Sequence, residues 1–468
     1  MKAHANKIIC THILCFLLLT FSALWANDAK SHFVSSKPLV LHTIPVHGRF
    51  GRYNTAEIFC DAENRITVLC KFGFWDNDNR KESTLLFVSD KGKWDKSKVP
   101  CWGGMINDGV FQAYRMEDIV QPDDNTRRMG ISVYNIEHDL SLSSKPTNTF
   151  EIFEIGKRDK VFKQEESRMI TDVVPLSRNP GKFFVVGYYV ESRLLNPINF
   201  ILYLASAGHH GYVHRPFGAI VEQDEITGYY NTPEKLKVND HSSIIDYVAS
   251  GSKIHFVGEK NKEYSYDPHI IQYLSFDLNK KHWKKPVELF RGHKGSEKLR
   301  DDIGALSLAC DNNIVYCSWS RNVADLTSEK DWTWTNRPDE SGIYFCSGTN
   351  NQWGEPAIIS KSGDHPIVLL DKKSTVYIFW IERYKGLSCK HKTNTAWSDT
   401  ILLVKDPAIR IRGMFFPGGS PSQPFSIAVD NDNNFHIIYI RESSGTFGEE
   451  EFKPEELVYV KVKPETLK

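Results

Sequence analysis

Residues 302–319 read DIGALSLACDNNIVYCSW: two apolar runs joined by a short polar turn that begins at Asp311. The pattern recurs along the second half of the chain. Asp240, Asp302 and Asp364 are spaced 62 residues apart, and a run, turn and run of this kind follows each of them. The four copies are residues 243–257, 305–319, 367–381 and 426–440. Self-similarity at this period, with strand-forming content, is typical of a β-propeller in which each repeat is one four-stranded blade.

One complete repeat, residues 302–359, predicts the plan of a blade. Its four strands are residues 305–310, 314–319, 342–346 and 357–359. Asp311, Asp371 and Asp430 each open the first turn, where an Asp or Asn side chain can bond its own backbone. A tryptophan follows the second turn, as at Trp353, and we expect it to fill the gap between adjacent blades at their outer edge.

Counting such repeats predicts seven blades, with six or eight as the alternatives. The innermost hairpins are expected near residues 55–72, 115–136, 171–190, 242–258, 303–319, 365–381 and 424–440. The last repeat lacks a fourth strand, which residues 38–44 can supply from the start of the mature chain. Closing the ring in this way removes exposed sheet edges. An open pair of β-sandwich sheets is the other architecture that the strand content allows.

The first 26 residues have the organisation of a secretory signal. Lys2 and Lys7 precede the apolar stretch 8–25, and Ala26 is a small residue suited to cleavage. We therefore predict a signal peptide over residues 1–26, a single propeller domain over residues 27–468, and a secreted or periplasmic protein. A membrane anchor is the alternative interpretation of the same stretch.

Composition limits the classes of partner and cofactor. The chain has 58 basic and 58 acidic side chains, so no positive field attracts nucleic acid or a membrane surface. No motif for a nucleotide, a zinc ion or another cofactor is present, and a structural calcium stays open. Seven cysteines remain after the signal. Cys317 and Cys346 lie on neighbouring predicted strands, where either two thiols or a disulfide would fit.

Propeller geometry predicts where a site would form. The start of each innermost strand and the end of the second strand meet at one mouth of the central channel. The candidates before strand one are Arg49, Arg52, Tyr53, Asp240, His241, Arg300, Asp301, Asp302, Asp364, His365 and Gln423. Those after strand two are Trp75, Asp76, Asn135, Glu137, His138, Glu191, Arg193, Glu259, Lys260, Arg321, Glu382, Arg383, Tyr384, Arg441 and Glu442. The aspartates repeat from blade to blade, which favours a structural role for them. The histidines and Tyr384 do not repeat, and they carry the functional weight.

The repeat also resembles a known family. Residues 89–94, SDKGKW, are a shortened version of the Ser-x-Asp-x-Gly-x-x-Trp box, and the turns before Trp283 and Trp353 are of the same kind. The chain in this respect is similar to secreted propellers with BNR-type (sialidase-like) repeats. Several of these, the ulvan lyases, have seven blades and use histidine, tyrosine and arginine side chains. The resemblance implies a carbohydrate substrate. What this chain shares with the site of those enzymes is the set of residue types, histidine, tyrosine and arginine.

The first hypothesis is a polysaccharide lyase that cleaves a uronate-containing glycan by β-elimination. Arg383 or Arg441 would neutralise the uronate carboxylate, His365 or His241 would remove the C5 proton, and Tyr384 would protonate the leaving oxygen. Substrate-binding residues would be Arg52, Trp75, Lys260, Arg321, Glu382 and Glu442. One alternative is a sialidase-type hydrolase that uses Arg321, Arg383 and Arg441 together. The other is a sugar-binding propeller without catalysis.

Overall fold

A computed structural model describes residues 37–44, 52–76, 79–90, 92–107, 109–120, 127–137, 140–154, 168–176, 182–192, 212–222, 225–233, 236–237, 245–260, 267–296, 298–328, 333–349, 352–393, 396–409, 424–441 and 455–463. The strands in these ranges form seven antiparallel sheets. The protein is therefore an all-β, seven-bladed β-propeller, as the repeat predicts. We number the sheets as blades 1–7 in chain order.

The first strand, β1 (Leu39–Thr43), belongs to the last blade. Blade 1 comprises β2 (Arg52–Cys60), β3 (Ile66–Asp76), β4 (Asn79–Asp90) and β5 (Lys93–Lys98). Blade 2 comprises β6 (Gly103–Asn107), β7 (Val110–Val120), β8 (Arg127–Asn135) and β9 (Asn148–Glu154). Blade 3 comprises β10 (Arg168–Pro175), β11 (Lys182–Ser192), β12 (Tyr212–Glu222) and β13 (Glu225–Asn231).

Blades 4–7 contain the recognisable repeats. Blade 4 comprises β14 (Leu236–Lys237), β15 (Ile245–Ser250), β16 (Lys253–Lys260), β17 (Ile270–Asp277), β18 (His282–Trp283) and β19 (Val287–Arg291). Blade 5 comprises β20 (Leu299–Asp311), β21 (Ile314–Ser328), β22 (Thr333–Asn336), β23 (Gly342–Thr349), β24 (Gln352–Trp353) and β25 (Ala357–Ser360). Blade 6 comprises β26 (Asp364–Leu370), β27 (Val376–Glu382), β28 (Gly386–Thr393), β29 (Ala396–Trp397) and β30 (Ile401–Lys405), and blade 7 comprises β31 (Phe425–Val429), β32 (Phe435–Arg441), β33 (Glu456–Val462) and β1.

The two ends of the chain close the ring, as predicted. Strand β1 pairs with β33 in antiparallel register, with Leu39 opposite Tyr459 and Thr43 opposite Glu456. The Ile44 N–H extends the pairing by donating to the Glu455 carbonyl at 3.0 Å. Blade 7 therefore gains its fourth strand from the N-terminal segment, and the last sheet has no unpaired edge next to blade 1.

In blades 1, 6 and 7 an aspartate holds the first turn, whereas in blade 5 the predicted Asp311 accepts the Asn312 side-chain N–H at 2.8 Å and no N–H of the turn backbone in the described structure. Asp61, Asp371 and Asp430 each accept the backbone N–H groups two and four residues later, at 2.7–2.9 Å. This confirms the predicted turns at Asp371 and Asp430 and adds the equivalent turn of blade 1. Because the carboxylate satisfies the turn's own N–H groups, the innermost strand reverses at the same place in each of these blades.

Tryptophans after the second turn join neighbouring blades, as predicted. Three of them make ring contacts, Trp94 with Tyr459, Trp353 with Tyr273 and Trp397 with Phe345, and the ring centroids are 4.9, 4.9 and 5.0 Å apart. The fourth, Trp283, donates its indole N–H to the Tyr230 carbonyl at 3.0 Å. In each pair the partner belongs to the preceding blade of the ring. These contacts fix one blade against the next at the outer edge.

We expect Trp353→Ala to lower the free energy of unfolding by about 2–3 kcal/mol, because it removes a half-buried aromatic ring between blades 4 and 5. Trp102→Ala is the matched control, since Trp102 is 50% exposed, and should change this free energy by less than about 0.5 kcal/mol. Urea denaturation measures both. Equal stabilities for the two variants would contradict the role assigned to the outer tryptophans.

Buried histidines pair with tyrosines inside two blades. In blade 4, His255 Nδ1 lies 2.6 Å from the Tyr273 hydroxyl, and in blade 7, His436 Nδ1 lies 2.7 Å from the Tyr459 hydroxyl. Burial, with a smaller contribution from Lys253, lowers the pKa of His255 from 6.5 to about 4. The repetition of this pair in two blades favours a structural role, and it makes the fold sensitive to acid.

Between the two pKa values of His255, the unfolded chain binds a proton that the folded chain does not. The stability from neutral His255 is therefore complete above about pH 6.5 and is lost as the pH falls toward about 4. The shift corresponds to about 3 kcal/mol. We expect His255→Gln, which keeps a polar partner for Tyr273, to flatten this part of the stability–pH curve. Urea midpoints measured across that pH range test it, and an unchanged slope would contradict it.

The innermost hairpin of blade 2 differs from the prediction. It is formed by β6 and β7, residues 103–120, whereas residues 115–136 were expected. Asn135 consequently ends the third strand at the opposite face, where its side chain accepts from Gln112 at 2.9 Å. Asn135 and the following Glu137 are therefore removed from the mouth, and His138 lies outside the described residues. The prediction was wrong because β6 has only five residues, two of them glycine, and gives little strand signal.

The seven described cysteines are free thiols. Cys317 and Cys346 face each other across β21 and β23 in the core of blade 5. Burial and a hydrogen bond with Cys346 raise the pKa of the Cys317 thiol well above 9. Both residues thus pack as small apolar groups in this structure.

Candidate active site at the channel mouth

The innermost strands of four blades carry a register shift close to the face where they begin. The shifts fall between Tyr53 and Thr55, Ile170 and Asp172, Ile303 and Leu306, and Asp364 and Ile367. We call this face the mouth. Such bulges redirect side chains and are common beside functional sites. A predicted site residue must therefore lie at the mouth if it is to take part in a site there.

His365 occupies the bulge of blade 6. Its φ is 53°, its side chain is 10% exposed, and its Nδ1 lies 3.4 Å from Asp364 Oδ1. The same carboxylate oxygen accepts the His365 N–H at 2.8 Å and the Ser320 hydroxyl at 2.9 Å. Within the described part of the chain, the buried Nδ1 has no hydrogen-bond partner. The equivalent residue of blade 5 is Ile303, so this histidine is not part of the repeat.

The next strand of blade 6 brings a charged turn to the mouth. Strand β27 ends at Glu382, whose carboxylate is 11% exposed and lies 3.2 Å from the Lys385 ammonium. Arg383 and Tyr384 form the turn, both exposed, and Tyr384 is 84% exposed with φ 61°. Blade 6 thus places five of the predicted polar residues, counting Asp364, on two adjacent strand ends.

Arg321 is engaged inside the protein. Its guanidinium donates to both carboxylate oxygens of Asp301, at 2.9 and 2.7 Å, and to the Tyr344 hydroxyl at 3.3 Å. The side chains of Arg321 and Asp301 are 6% and 1% exposed. Burial acts to raise the pKa of Asp301, but the hydrogen bonds from Arg321 outweigh it and hold that pKa low. This geometry suits a structural ion pair, and the predicted contact of Arg321 with substrate stays a prediction.

Arg441 has a corresponding environment in blade 7. It donates to Asp406 Oδ2 at 2.8 Å and to Glu456 Oε2 at 2.9 Å, and the Tyr439 hydroxyl also donates to Asp406 Oδ2 at 2.9 Å. Burial opposes the charge of Arg441, but the hydrogen bond with Asp406 raises its pKa. With two carboxylates already bound, Arg441 is less available for an anionic ligand than the exposed Arg383.

Two residues that sequence reasoning did not select lie beside Arg321. His293 donates its backbone N–H to Asp301 Oδ2 at 2.6 Å, and its ring Nε2 pairs with Glu340 Oε2. The hydrogen bond with His293 lowers the pKa of Glu340, against a smaller effect of burial. His293 follows the fourth strand of blade 4 and Glu340 precedes the third strand of blade 5. The rule used for the mouth considered only strands one and two, and therefore missed them.

The remaining predicted residues are described in part. Lys260 ends β16 and is exposed. Arg52 begins β2 and Trp75 lies near the end of β3, and the structure describes their backbone only. Asp240, His241 and Glu442 lie outside the described residues. The assignments of all three groups stay predictions.

Within the described ranges, no helix is long and apolar enough to span a membrane. The same ranges contain no group of three or more His, Cys, Asp or Glu side chains that could hold a metal ion.

Solved structures of proteins with different activities are similar to this chain. An α-L-arabinanase from Penicillium chrysogenum, complexed with arabinobiose, has 9% identity and a TM-score of 0.40, over 91% of this chain and 98% of that one. The endosialidase of phage phi92 has 10% identity and a TM-score of 0.40, over 92% and 69% of the two chains. An acylaminoacyl peptidase from Pyrococcus horikoshii has 11% identity and a TM-score of 0.40, over 87% of this chain and 50% of that one.

No protein-family model and no curated protein matches the sequence. The glycosidases and the peptidase have equal TM-scores. At identities of 9–11% these similarities carry no argument for an activity.

Proposed function

We propose that this protein is a secreted carbohydrate-active propeller that cleaves a uronate-containing glycan at its mouth by β-elimination. The supporting observation is the environment of His365. This buried histidine has φ 53° and its Nδ1 lies beside Asp364, and because the equivalent residue of blade 5 is Ile303, the repeat itself does not require a histidine here. A group held like this on the rim of a propeller channel is suited to proton transfer.

The Asp364 carboxylate places negative charge on the Nδ1 side of the imidazole, which favours a proton at that nitrogen. With the proton on Nδ1, which faces Asp364 Oδ1 at 3.4 Å, the lone pair of Nε2 can act as the base. Nε2 removes the C5 proton of the uronate, and the electrons of that C–H bond form the C4=C5 double bond. The C4–O bond breaks at the same time, and the leaving oxygen takes a proton from the Tyr384 hydroxyl. The step balances without any added cofactor.

The cation for the uronate carboxylate is Arg383. Removal of the C5 proton is favoured when the adjacent carboxylate is neutralised, since charge develops there in the transition state. Arg383 is exposed on the turn that also carries Tyr384, whereas Arg441 already binds Asp406 and Glu456. This difference in availability is the reason for choosing Arg383 over Arg441.

The partner class and location in this proposal are those expected from the sequence. The ligand is a polysaccharide or oligosaccharide, and neither nucleic acid nor membrane is a partner, since the charges balance at 58 of each sign. Secretion or export to a periplasm follows from the signal-like residues 1–26. Mass spectrometry of the protein from an expressing culture would locate the mature N-terminus.

The test is a product assay on alginate, polygalacturonate, hyaluronan and chondroitin sulfate. A lyase produces an unsaturated uronate, so ultraviolet absorbance and reducing ends rise together on at least one substrate. Reducing ends without the absorbance mean hydrolysis and contradict β-elimination. If neither the absorbance nor the reducing ends rise on any of the four substrates, cleavage of uronate glycans is contradicted.

Hydrolysis is the second candidate, favoured by the two carboxylates of blade 6. Asp364 and Glu382 lie on adjacent strand ends, and such a pair can act as acid and base on a glycosidic bond. The sialidase-type arginine trio is less favoured, because Arg321 and Arg441 are both bound by protein carboxylates. The assay above separates hydrolysis from elimination in one experiment.

A further inference from the structure

Trp102 differs from the other tryptophans of this protein. Seven tryptophan side chains are described, and Trp102 is the exposed one among them, at 50%. Trp319 and Trp380 are fully buried, and the other four pack between blades. Tryptophan is enriched at binding surfaces, because its large apolar ring gives contact area to a ligand. This side chain therefore calls for an account other than packing.

Trp102 lies at the mouth. It directly precedes Gly103, the first residue of β6, and β6 is the innermost strand of its blade. His365 has the corresponding place in blade 6, three positions away on the seven-bladed ring. An indole and an imidazole thus lie on the same rim, on roughly opposite sides of the channel.

The backbone around Trp102 is held rigidly. The Trp102 N–H donates to the Tyr114 carbonyl at 2.8 Å, and the Cys101 carbonyl accepts the Thr84 hydroxyl at 3.1 Å. Gly103 fits against the Tyr114 ring, which leaves no room there for a Cβ. A preformed aromatic surface loses little conformational entropy on binding, which is what a stacking platform requires.

A positive charge accompanies the indole. The Lys71 ammonium, from the second strand of blade 1, lies 4.3 Å from the Trp102 ring centroid. This cation–π contact orients the ring and brings a cation to its edge of the mouth. A sugar that carries a carboxylate or sulfate would gain both stacking and charge at this place.

We propose that Trp102 and Lys71 form a subsite for an acidic pyranose of the glycan, at the blade 2 side of the mouth. The apolar face of the sugar stacks on the exposed part of the indole, and Lys71 attracts its acidic group. The inference rests on the proposed glycan ligand and assigns this subsite a role in binding. Trp102 and Lys71 take no part in the proton transfers.

The test measures, by titration calorimetry, the affinity for an acidic tetrasaccharide of galacturonate or mannuronate. A neutral glucose tetrasaccharide is the uncharged comparison ligand. The protein carries His365→Ala in every sample, so that the ligand is not cleaved. Adding Trp102→Ala should weaken acidic binding about tenfold, and Trp102→Phe by less than about threefold. Lys71→Gln should weaken the acidic ligand alone. Val110→Ala, exposed on the opposite face of blade 2, is the control and should change nothing.

The outcomes separate this inference from the proposed reaction. Unchanged binding in the Trp102→Ala sample overturns the subsite and leaves the glycan proposal standing. Loss of binding in that sample, together with no cleavage by the unmodified protein, supports the subsite and overturns the reaction. No acidic oligosaccharide binding at all overturns both.

Discussion

Replacing His365 with alanine is expected to lower the rate of glycan cleavage by about 10²–10⁴-fold, the usual contribution of a general base. The physical reason is that no other described imidazole has its place at the bulge of blade 6, beside Asp364. Absorbance of the unsaturated product, followed at saturating substrate, measures the rate. The melting temperature should fall by a few degrees, because alanine is strained at φ 53° and leaves the space of a buried ring empty.

A matched control exists in the same blade. His391 lies on β28, its ring is tilted against that of Tyr377, and it also has a buried Nδ1 without a hydrogen-bond partner in the described structure. It is near the far end of that strand, away from the mouth. His391→Ala should leave the rate within about twofold of the unmodified protein. Equal rates for His365→Ala and the unmodified protein would remove His365 from the mechanism.

Replacing Asp301 with alanine is expected to lower the free energy of unfolding by about 3–5 kcal/mol, because it leaves the Arg321 charge buried without its carboxylate. The double variant Asp301→Leu with Arg321→Met should be more stable than Asp301→Ala, since no charge is then buried alone. Urea denaturation measures all three. If the single variant were as stable as the unmodified protein, Arg321 would not depend on Asp301 for its burial.

The same blade offers an exposed pair for comparison. Arg337 binds both oxygens of Asp325 at 2.7 and 2.8 Å, and these side chains are 38% and 43% exposed. Asp325→Ala should therefore lower the free energy of unfolding much less than Asp301→Ala does. The contrast between the two aspartates isolates burial as the cause, because both pairs have two-point geometry.

Much of the fold could be predicted from local chemistry. The turns at Asp371 and Asp430 need only a carboxylate and the N–H groups of the next four residues, so their signal is contained in the sequence. The tryptophans after the second turns, and the missing strand that residues 38–44 supply, follow from the same repeat. These features are short-range or are repeated in several blades.

Features that depend on single, distant contacts could not be predicted. The partners of Arg441 are Asp406 and Glu456, which are 35 and 15 residues away, and no spacing rule pairs them. Trp102 was missed because the short strand β6 after it was not recognised. The positions of the blade 6 residues along their strands follow from the repeat, whereas the carboxylate partners of Arg321 and Arg441 required coordinates.

A crystal structure of the His365→Ala protein with an acidic tetrasaccharide tests the central claim most directly. The account predicts sugar density at the mouth, with one ring on Trp102 and a glycosidic linkage beside residue 365 and Tyr384. Density confined to the outer edges of the blades, or to the face where the Asp371 and Asp430 turns lie, would contradict it.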